Sequence, residues 1–392
     1  MPDARFSPDR VHEEGEPVSI YLHVPFCRTR CSYCDFFLVT RLDHVESFFR
    51  ALSSETLASA PLLRGRRVKA VHIGGGTPSL VPVSFISGWL DLLSTIGDFE
   101  PEAEIALEAN PEDLGGPAMR ELRSAGVNRL SLGVQSFQQR KLSALGRRHS
   151  ADDARRITGQ ALQVFDTLSV DLICGVPGES SAEWQKDLQD VMGLAVPHVS
   201  VYMLSVEPKT RLERRISRGL VTVPGETVQA SMYSSAVATL CSSGYRHYEV
   251  SNFAFPGHHS RYNLACWMRE PYLGFGPSAH SFVRKGRVEV RRANAGSLLR
   301  YLAGPPASSG IEETLTEEER FVEQVFLTLR INRGLDVGIL RKRDKLGLNL
   351  QGMLERFHAK GWIVLEDGCI FLTGSGFLFA DHIAGELISL EP

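Results

Sequence analysis

The sequence predicts an α/β fold: an incomplete (β/α)6 barrel followed by a helical, winged-helix-like C-terminal domain. Three observations predict it. Short apolar, β-branched runs alternate with longer segments of helical periodicity up to about residue 285. Polar residues and glycines gather just after those runs, where parallel βα sheets carry their chemistry. Beyond residue 285 the alternation stops, and helices ending in a hairpin take over.

The runs, in order, are VSIYLHV (18–24), VKAVHIGG (68–75), EIALEAN (104–110), NRLSLGVQ (128–135), TLSVDLICG (167–175) and HVSVYMLSV (198–206). Between them lie segments such as DHVESFFRALSSETLAS and SAEWQKDLQDVMGLA, with apolar residues at helical spacing. Strand–helix alternation implies parallel strands joined by crossover helices. Six units make a barrel-like sheet short of the usual eight. Gly74, Gly75, Gly76, Glu108, Gln135 and Asp171 stand at the strand ends, although tight βα turns alone would explain the glycines.

The domain plan is a polar N-terminal extension (1–17), the barrel with its own extension (18–285), a turn-rich linker (286–310) and the C-terminal domain (311–392). In the last, EEERFVEQVFLTLRI, LDVGILRKRDKL and NLQGMLERFHAKGW supply three helices, and IVLEDGCIFLT a two-stranded wing. Winged helices often bind DNA, but a net charge of −3 offers no attraction for nucleic acid. The domain therefore reads as a structural or docking module.

At 43% hydrophobic and 23% charged residues, the 392-residue chain is globular and long enough for a sizeable core. Its seven cysteines, an odd and scattered set, are not a disulfide framework. The N-terminus lacks an apolar signal region, and no stretch has the length of a membrane span. These features predict a cytoplasmic protein with reduced thiols, no nucleic-acid partner and at most peripheral membrane contact.

Three cysteines crowd into LHVPFCRTRCSYCDFF (22–37), as Cys27, Cys31 and Cys34. A dithiol redox pair, Cys31-x-x-Cys34, leaves Cys27 unused. Structural zinc needs four ligands, and only His23, on an apparent strand, offers itself as the fourth. A 4Fe–4S cluster held by three thiolates leaves one iron open. Buried cysteines acting as small hydrophobes sit poorly beside Arg28, Thr29, Arg30 and Ser32. The open iron explains why the count stops at three. It can chelate the amino and carboxylate groups of S-adenosylmethionine for one-electron cleavage, chemistry that belongs to the cofactor.

The spacing C-x3-C-x-aromatic-C, with Tyr33 as the aromatic, resembles radical S-adenosylmethionine (radical SAM) enzymes. GGGTPSL (74–80), LEANPE (107–112), RLSLGVQSF (129–137), LGRRHSADDA (145–154) and VDLICGVPGES (170–180) narrow the resemblance. They match the branch of oxygen-independent coproporphyrinogen III oxidases and HemW-type heme chaperones, from residue 18 onward. The resemblance implies a radical SAM barrel and a 4Fe–4S cluster on Cys27, Cys31 and Cys34. It implies S-adenosylmethionine contacts from Tyr21, Tyr33, Gly75, Gly76, Thr77, Glu108, Gln135, Arg147 and Asp171. Taken singly, Glu108 or Asp171 could cap a helix, and Arg147 could lie on a solvated face.

Within that branch the oxidase carries a further cysteine two positions after the third, where this chain has Phe36. The oxidase also has a longer N-terminal arm. Both differences favour the chaperone side, which implies heme or a porphyrin as ligand, heme-accepting proteins as partners and an electron donor to the cluster. A catalytic alternative stays open: an oxidase acting on a porphyrin precursor, or a related radical SAM methyltransferase. The branch's heme-associated His-Asn-x-x-Tyr-Trp motif meets RYNLACW (261–267). Asn263 and Trp267 match; Tyr262 replaces the histidine and Cys266 the tyrosine. Tyrosine and thiolate both ligate heme iron, and His258 and His259 lie just upstream. Equally, this loop could merely pack beneath YLGFGPSAH (272–280).

Overall fold

The computed structural model describes residues 15–286, 288–304, 310–344 and 348–389. Most of the expected N-terminal extension, residues 1–14, lies outside the described residues, as does the turn-rich stretch 305–309. Six parallel strands lie side by side in chain order: β1 (Val18–Val24), β2 (Arg67–Gly75), β3 (Asp98–Ala109), β4 (Arg129–Gln135), β5 (Thr167–Cys174) and β6 (His198–Met203). Helices connect each to the next, and their first turns are written in the sequence. Ser150 and Ser180 open the helices Ala151–Leu162 and Ser181–Gly193 with reciprocal capping boxes.

Strand alternation sets the two faces. Ile20, Leu22, Val71, Ile73, Leu107 and Leu130 are buried in the hydrophobic core, which includes Trp89 and Leu93 of the helix Val83–Ile96. The opposite face is polar, and its side chains bond across the strands. His72 reaches Glu108, Ser131 reaches Asp171, and Ser169 meets His198 and Ser200. Parallel sheets covered on both sides are usually apolar on both. A polar inner face marks a barrel whose interior serves a site.

The sheet continues beyond the six strands. On one edge β8 (Asn252–Ala254) adds antiparallel to β6, and β7 (Arg246–Glu249) adds antiparallel to β8. On the other, β9 (Tyr272–Phe275) runs parallel to β1, followed by β10 (His280–Lys285), β11 (Val288–Ala293) and β12 (Ile311–Thr314). The result is an open twelve-stranded sheet, order β12-β11-β10-β9-β1-β2-β3-β4-β5-β6-β8-β7.

This corrects the expected linker. The stretch 286–310 contains β11 and the helix Leu298–Ala303, because β10 and β11 form an antiparallel hairpin that extends the main sheet. β12, placed by sequence in the C-terminal domain, is the edge strand of that sheet.

The C-terminal helices Glu317–Thr328, Val337–Arg341 and Leu348–Ala359 precede the hairpin β14 (Ile363–Glu366) and β15 (Cys369–Leu372), joined by the short β13 (Leu335–Asp336). That is the expected winged arrangement. A further helix, Ala380–Ile388, packs on Glu317–Thr328. The domain meets the barrel through β7: Val250 N donates to Arg330 O (2.9 Å), and Asn332 N to Tyr248 O (3.2 Å).

Candidate cofactor site at the strand C-termini

The cysteine loop leaves β1 and is tied down along its length. Cys27 N donates to Val39 O, and Val39 N to Pro25 O, closing the loop at its base. Arg30 donates to the carbonyls of Cys34 and Phe36. Ser32 donates from its amide and hydroxyl to Leu145 O, and its own carbonyl accepts from Leu212 N. Cys27 is buried; Cys31 and Cys34 are half-buried. All three thiols line one cavity of about 480 Å³.

Opposite the loop lies the glycine turn after β2. Gly75 has φ +105°, a conformation that favours glycine. A Cβ there would stand 2.5 Å from His23 Nδ1, and one on Gly76 would stand 2.7 Å from Phe26 O. Glycine is therefore what lets this turn lie against the cysteine loop. Thr77 follows: its hydroxyl is 3.4 Å from Cys27 Sγ and accepts from Asn110 Nδ2 at 3.1 Å.

Arg147 joins the thiols to β4. Its guanidinium donates to Cys31 Sγ (3.5 Å), to Gly133 O (2.8 Å) and to Asn110 Oδ1. Burial opposes its charge, but Tyr33, Cys31 and Glu112 together hold it above the usual arginine range. Its Nε is buried without a hydrogen-bond partner among the described residues.

The strand ends supply two carboxylates in different states. Burial would raise the Glu108 carboxyl, but His72 Nε2 at 2.9 Å and Gly75 N–H at 3.2 Å hold it below the usual value. Burial first, then the charge of Glu108, pushes Asp171 up to about 6. Gln135 occupies a left-handed turn (φ +67°). A buried network holds the chain just beyond it. Asp187 accepts from Ser136 Oγ, Phe137 N (2.7 Å each) and Lys141 Nζ (2.6 Å), and Lys141 also pairs with Glu179. The ion-pair side chains of Lys141, Asp187 and Glu179 have no solvent exposure.

Of the expected contacts, Tyr33, Gly75, Gly76, Thr77, Glu108, Gln135, Arg147 and Asp171 all border this cavity, and Phe36 sits at its rim, 65% exposed. Tyr21 does not. Its hydroxyl bonds His23 Nδ1 at 3.0 Å, and its ring stacks on His72. His23 Nε2 meets Phe37 O at 2.9 Å, so both ring nitrogens of His23 are engaged by protein groups. Among the described residues, no three His, Cys, Asp or Glu side chains converge as a single ion requires. A cluster of several irons holds its thiolates further apart than one ion does.

Sequence reasoning missed Asn110, Lys141, Glu179, Asp187 and His72. His72 carried a signal, being a polar residue inside an apolar strand run. Lys141 carried none, because its partners lie 38 and 46 residues away.

The residues matched to the family's heme-associated motif lie at the other end of the barrel, in the helix Arg261–Trp267. Glu104 near the base of β3 accepts from Arg261 N (3.0 Å) and Tyr262 N (3.2 Å), and so seats this helix across the N-terminal strand ends. The Tyr262 ring stacks on His72, centroids 4.9 Å apart. Cys266 lies one turn on, its thiol pushed up to about 11 by burial. Asn263 N donates to Ser260 Oγ, and Trp267 faces Arg330 of the C-terminal domain. None of the four borders the cysteine cavity. His258 is bonded to Thr167, and the His259 ring lies tilted against Tyr248, centroids 4.4 Å apart. No helix among the described residues is long and apolar enough to cross a membrane.

Comparison with known proteins agrees with this architecture. Residues 21–191 match the radical SAM superfamily, and residues 315–379 match the HemN C-terminal domain. The chain is 35% identical over 380 residues to the heme chaperone HemW of Mycobacterium tuberculosis, covering 95% of each chain. It is 32% identical over 386 residues to the heme chaperone HemW of Bacillus subtilis, covering 94% of this chain and 99% of that one. Its fold superposes on coproporphyrinogen III oxidase (HemN) from Escherichia coli with a TM-score of 0.80 at 23% identity, over 97% of this chain and 92% of that chain. With a winged C-terminal domain behind a six-stranded barrel and three cysteines at its mouth, this chain belongs to the HemW-like family of radical SAM proteins.

Proposed function

We propose that Cys27, Cys31 and Cys34 hold a 4Fe–4S cluster with S-adenosylmethionine beside it, and that the chain carries heme to heme-accepting proteins. The observation that supports the cofactor site is convergence. Residues from the ends of five strands and from the cysteine loop border one cavity. Its donors suit a zwitterionic, cationic ligand. Arg147, charged and with a free Nε, faces the thiol side and suits a carboxylate. Glu108 and Asp171 on the inner wall suit an ammonium, a sulfonium or ribose hydroxyls. The glycine turn at Gly75 and Gly76 keeps that wall close to the loop, and Thr77 and Gln135 complete its polar rim. When bound, the cluster and S-adenosylmethionine supply one-electron cleavage of a carbon–sulfur bond. Burial pushes the Cys27 thiol up to about 11, so loading iron there displaces a proton.

Heme carriage draws on the names of the relatives and on Phe36, which stands where the oxidase has a further cysteine. An electron donor to the cluster and a cytoplasmic setting belong to the same reading. The test is anaerobic reconstitution with iron, sulfide and heme quantified on one sample, beside an assay with coproporphyrinogen. About four irons, a heme-dependent Soret band and no decarboxylation are expected. Decarboxylation would favour the oxidase instead, and absence of inorganic sulfide would end the cluster reading.

A further inference from the structure

A second groove, of about 1070 Å³, opens on the outer side of the cysteine loop and shares Cys34, Arg28 and Leu38 with the cluster cavity. Its lining combines three chemistries. Leu38, Val39, Pro208 and Leu298 make an apolar wall, extended by Leu299, which is 68% exposed. An exposed leucine beside an apolar groove is surface that a ligand can cover.

Cations surround that wall. Arg28 and Arg41 are paired with Asp113 and Asp43 at 2.7 and 2.8 Å. Arg30 and Arg214 bond only to backbone carbonyls, and among the described residues no carboxylate pairs with Arg30, Lys209, Arg211 or Arg214. Asp35 is the one acid in the described lining. A concave surface with this excess of positive charge focuses anions.

The third element is His44, half-buried in the lining of the same groove. Its ring makes no hydrogen bond among the described residues, and the carboxylate of Asp43 stands 4.0 Å from Nε2. A free imidazole is a strong ligand for iron.

We infer that this groove binds an iron tetrapyrrole bearing carboxylate side groups, with His44 as the iron ligand and Arg211 and Arg214 as carboxylate partners. This rests on the heme-carrier reading and gives it a site. A tetrapyrrole is flat and apolar at its ring, acidic at one edge and in need of a nitrogen, sulfur or oxygen donor at its metal. The groove offers a surface for each, and its volume suits such a ligand. The helix Arg261–Trp267 fits less well. Tyr262 is stacked against His72, and the Cys266 thiol is held protonated by burial.

The test uses the full chain with its cluster reconstituted anaerobically, titrated with hemin and with metal-free protoporphyrin. His44→Ala should shift the Soret band and weaken hemin by at least about tenfold while leaving protoporphyrin affinity unchanged. Arg211→Gln with Arg214→Gln should weaken both ligands by about tenfold. Cluster iron and circular dichroism report whether each variant is intact. If both groove variants bind hemin like the parent while Tyr262→Phe or Cys266→Ser loses the Soret band, heme sits at the other end of the barrel. The groove inference then falls and the carrier reading stands. If the parent chain shows no saturable hemin binding, the carrier reading itself falls, and the groove with it.

Discussion

Asp171 offers a measurable conflict between stability and ligand binding. Burial, and then the charge of Glu108, lift its carboxyl from an ordinary 3.8 to about 6, against hydrogen bonds from Ser200 and Ser131. A native value above the unfolded one means that the folded chain holds the proton more tightly. Ionisation therefore costs stability: nothing below the unfolded value, progressively more up to about pH 6, and the full amount above it. Two units correspond to about 3 kcal/mol, and because the cavity admits water the expected penalty is on the order of 2 kcal/mol. Asp171→Asn removes the charge and keeps a carbonyl oxygen for the Ser131 hydroxyl, now 3.3 Å from Oδ1. Urea unfolding of parent and variant at about pH 4 and about pH 8 isolates the effect, since losses that do not depend on pH cancel in the comparison. The variant should gain roughly 2 kcal/mol on the parent between the two. On the reconstituted protein, S-adenosylmethionine binding should move the other way. The variant loses about tenfold in affinity, and the parent weakens as pH falls through about 6. A stability gap of equal size at both pH values refutes the assignment of a costly buried charge.

Alanine at Cys27, Cys31 or Cys34 should each abolish reconstituted cluster iron while far-UV circular dichroism stays unchanged; any variant with full iron removes that cysteine from the ligand set. Lys141→Met leaves Glu179 and Asp187 buried without their cation, so urea unfolding should show a loss of about 3–5 kcal/mol. A loss within the scatter of surface substitutions, about 0.5 kcal/mol, contradicts a buried triad. Gly76→Ala forces a Cβ to 2.7 Å from Phe26 O and should cost about 1–3 kcal/mol with weakened iron retention. Gly88→Ala, in a helix with nothing within 4 Å of the new carbon, should instead be neutral or stabilising. Equal effects at the two glycines dispose of the close-approach argument.

The six barrel strands were legible because each alternates apolar core-facing residues with polar inward ones, and the crossover helices carry their own caps. The cysteine spacing and the polar strand ends were legible for the same reason: function placed unusual residues at fixed offsets from the strands. The sheet's outer strands were not. β8 has three residues, and β11, VEVRRA, holds one apolar position facing the core, Val290. Strands that short gain their identity from the neighbour they pair with, which a linear reading cannot supply. The Lys141 triad was invisible for a related reason. Its lysine lies on a short helix next to the buried Leu142, and only the tertiary fold brings Glu179 and Asp187 to it. Tyr21 was reached by a match in position alone; its hydroxyl meets His23 and its ring stacks on His72, contacts that no linear spacing announces.

His72 is where the two ends of the barrel meet. Its Nε2 bonds Glu108 on the cavity wall, and its ring stacks on Tyr262 of the helix that closes the opposite end. Its Nδ1 is buried without a partner among the described residues, so the ring's hydrogen bonding depends on Glu108. Tyr262, matched by resemblance to the histidine of the heme-associated motif, has a packing role of its own. A tyrosine ring extends the Tyr21–His72 stack with centroids at 6.1 and 4.9 Å, covering apolar area that a smaller imidazole would leave less well filled. That packing accounts for the residue at this position without any metal, and it is why the heme titration sets variants of the His44 groove beside those of Tyr262 and Cys266.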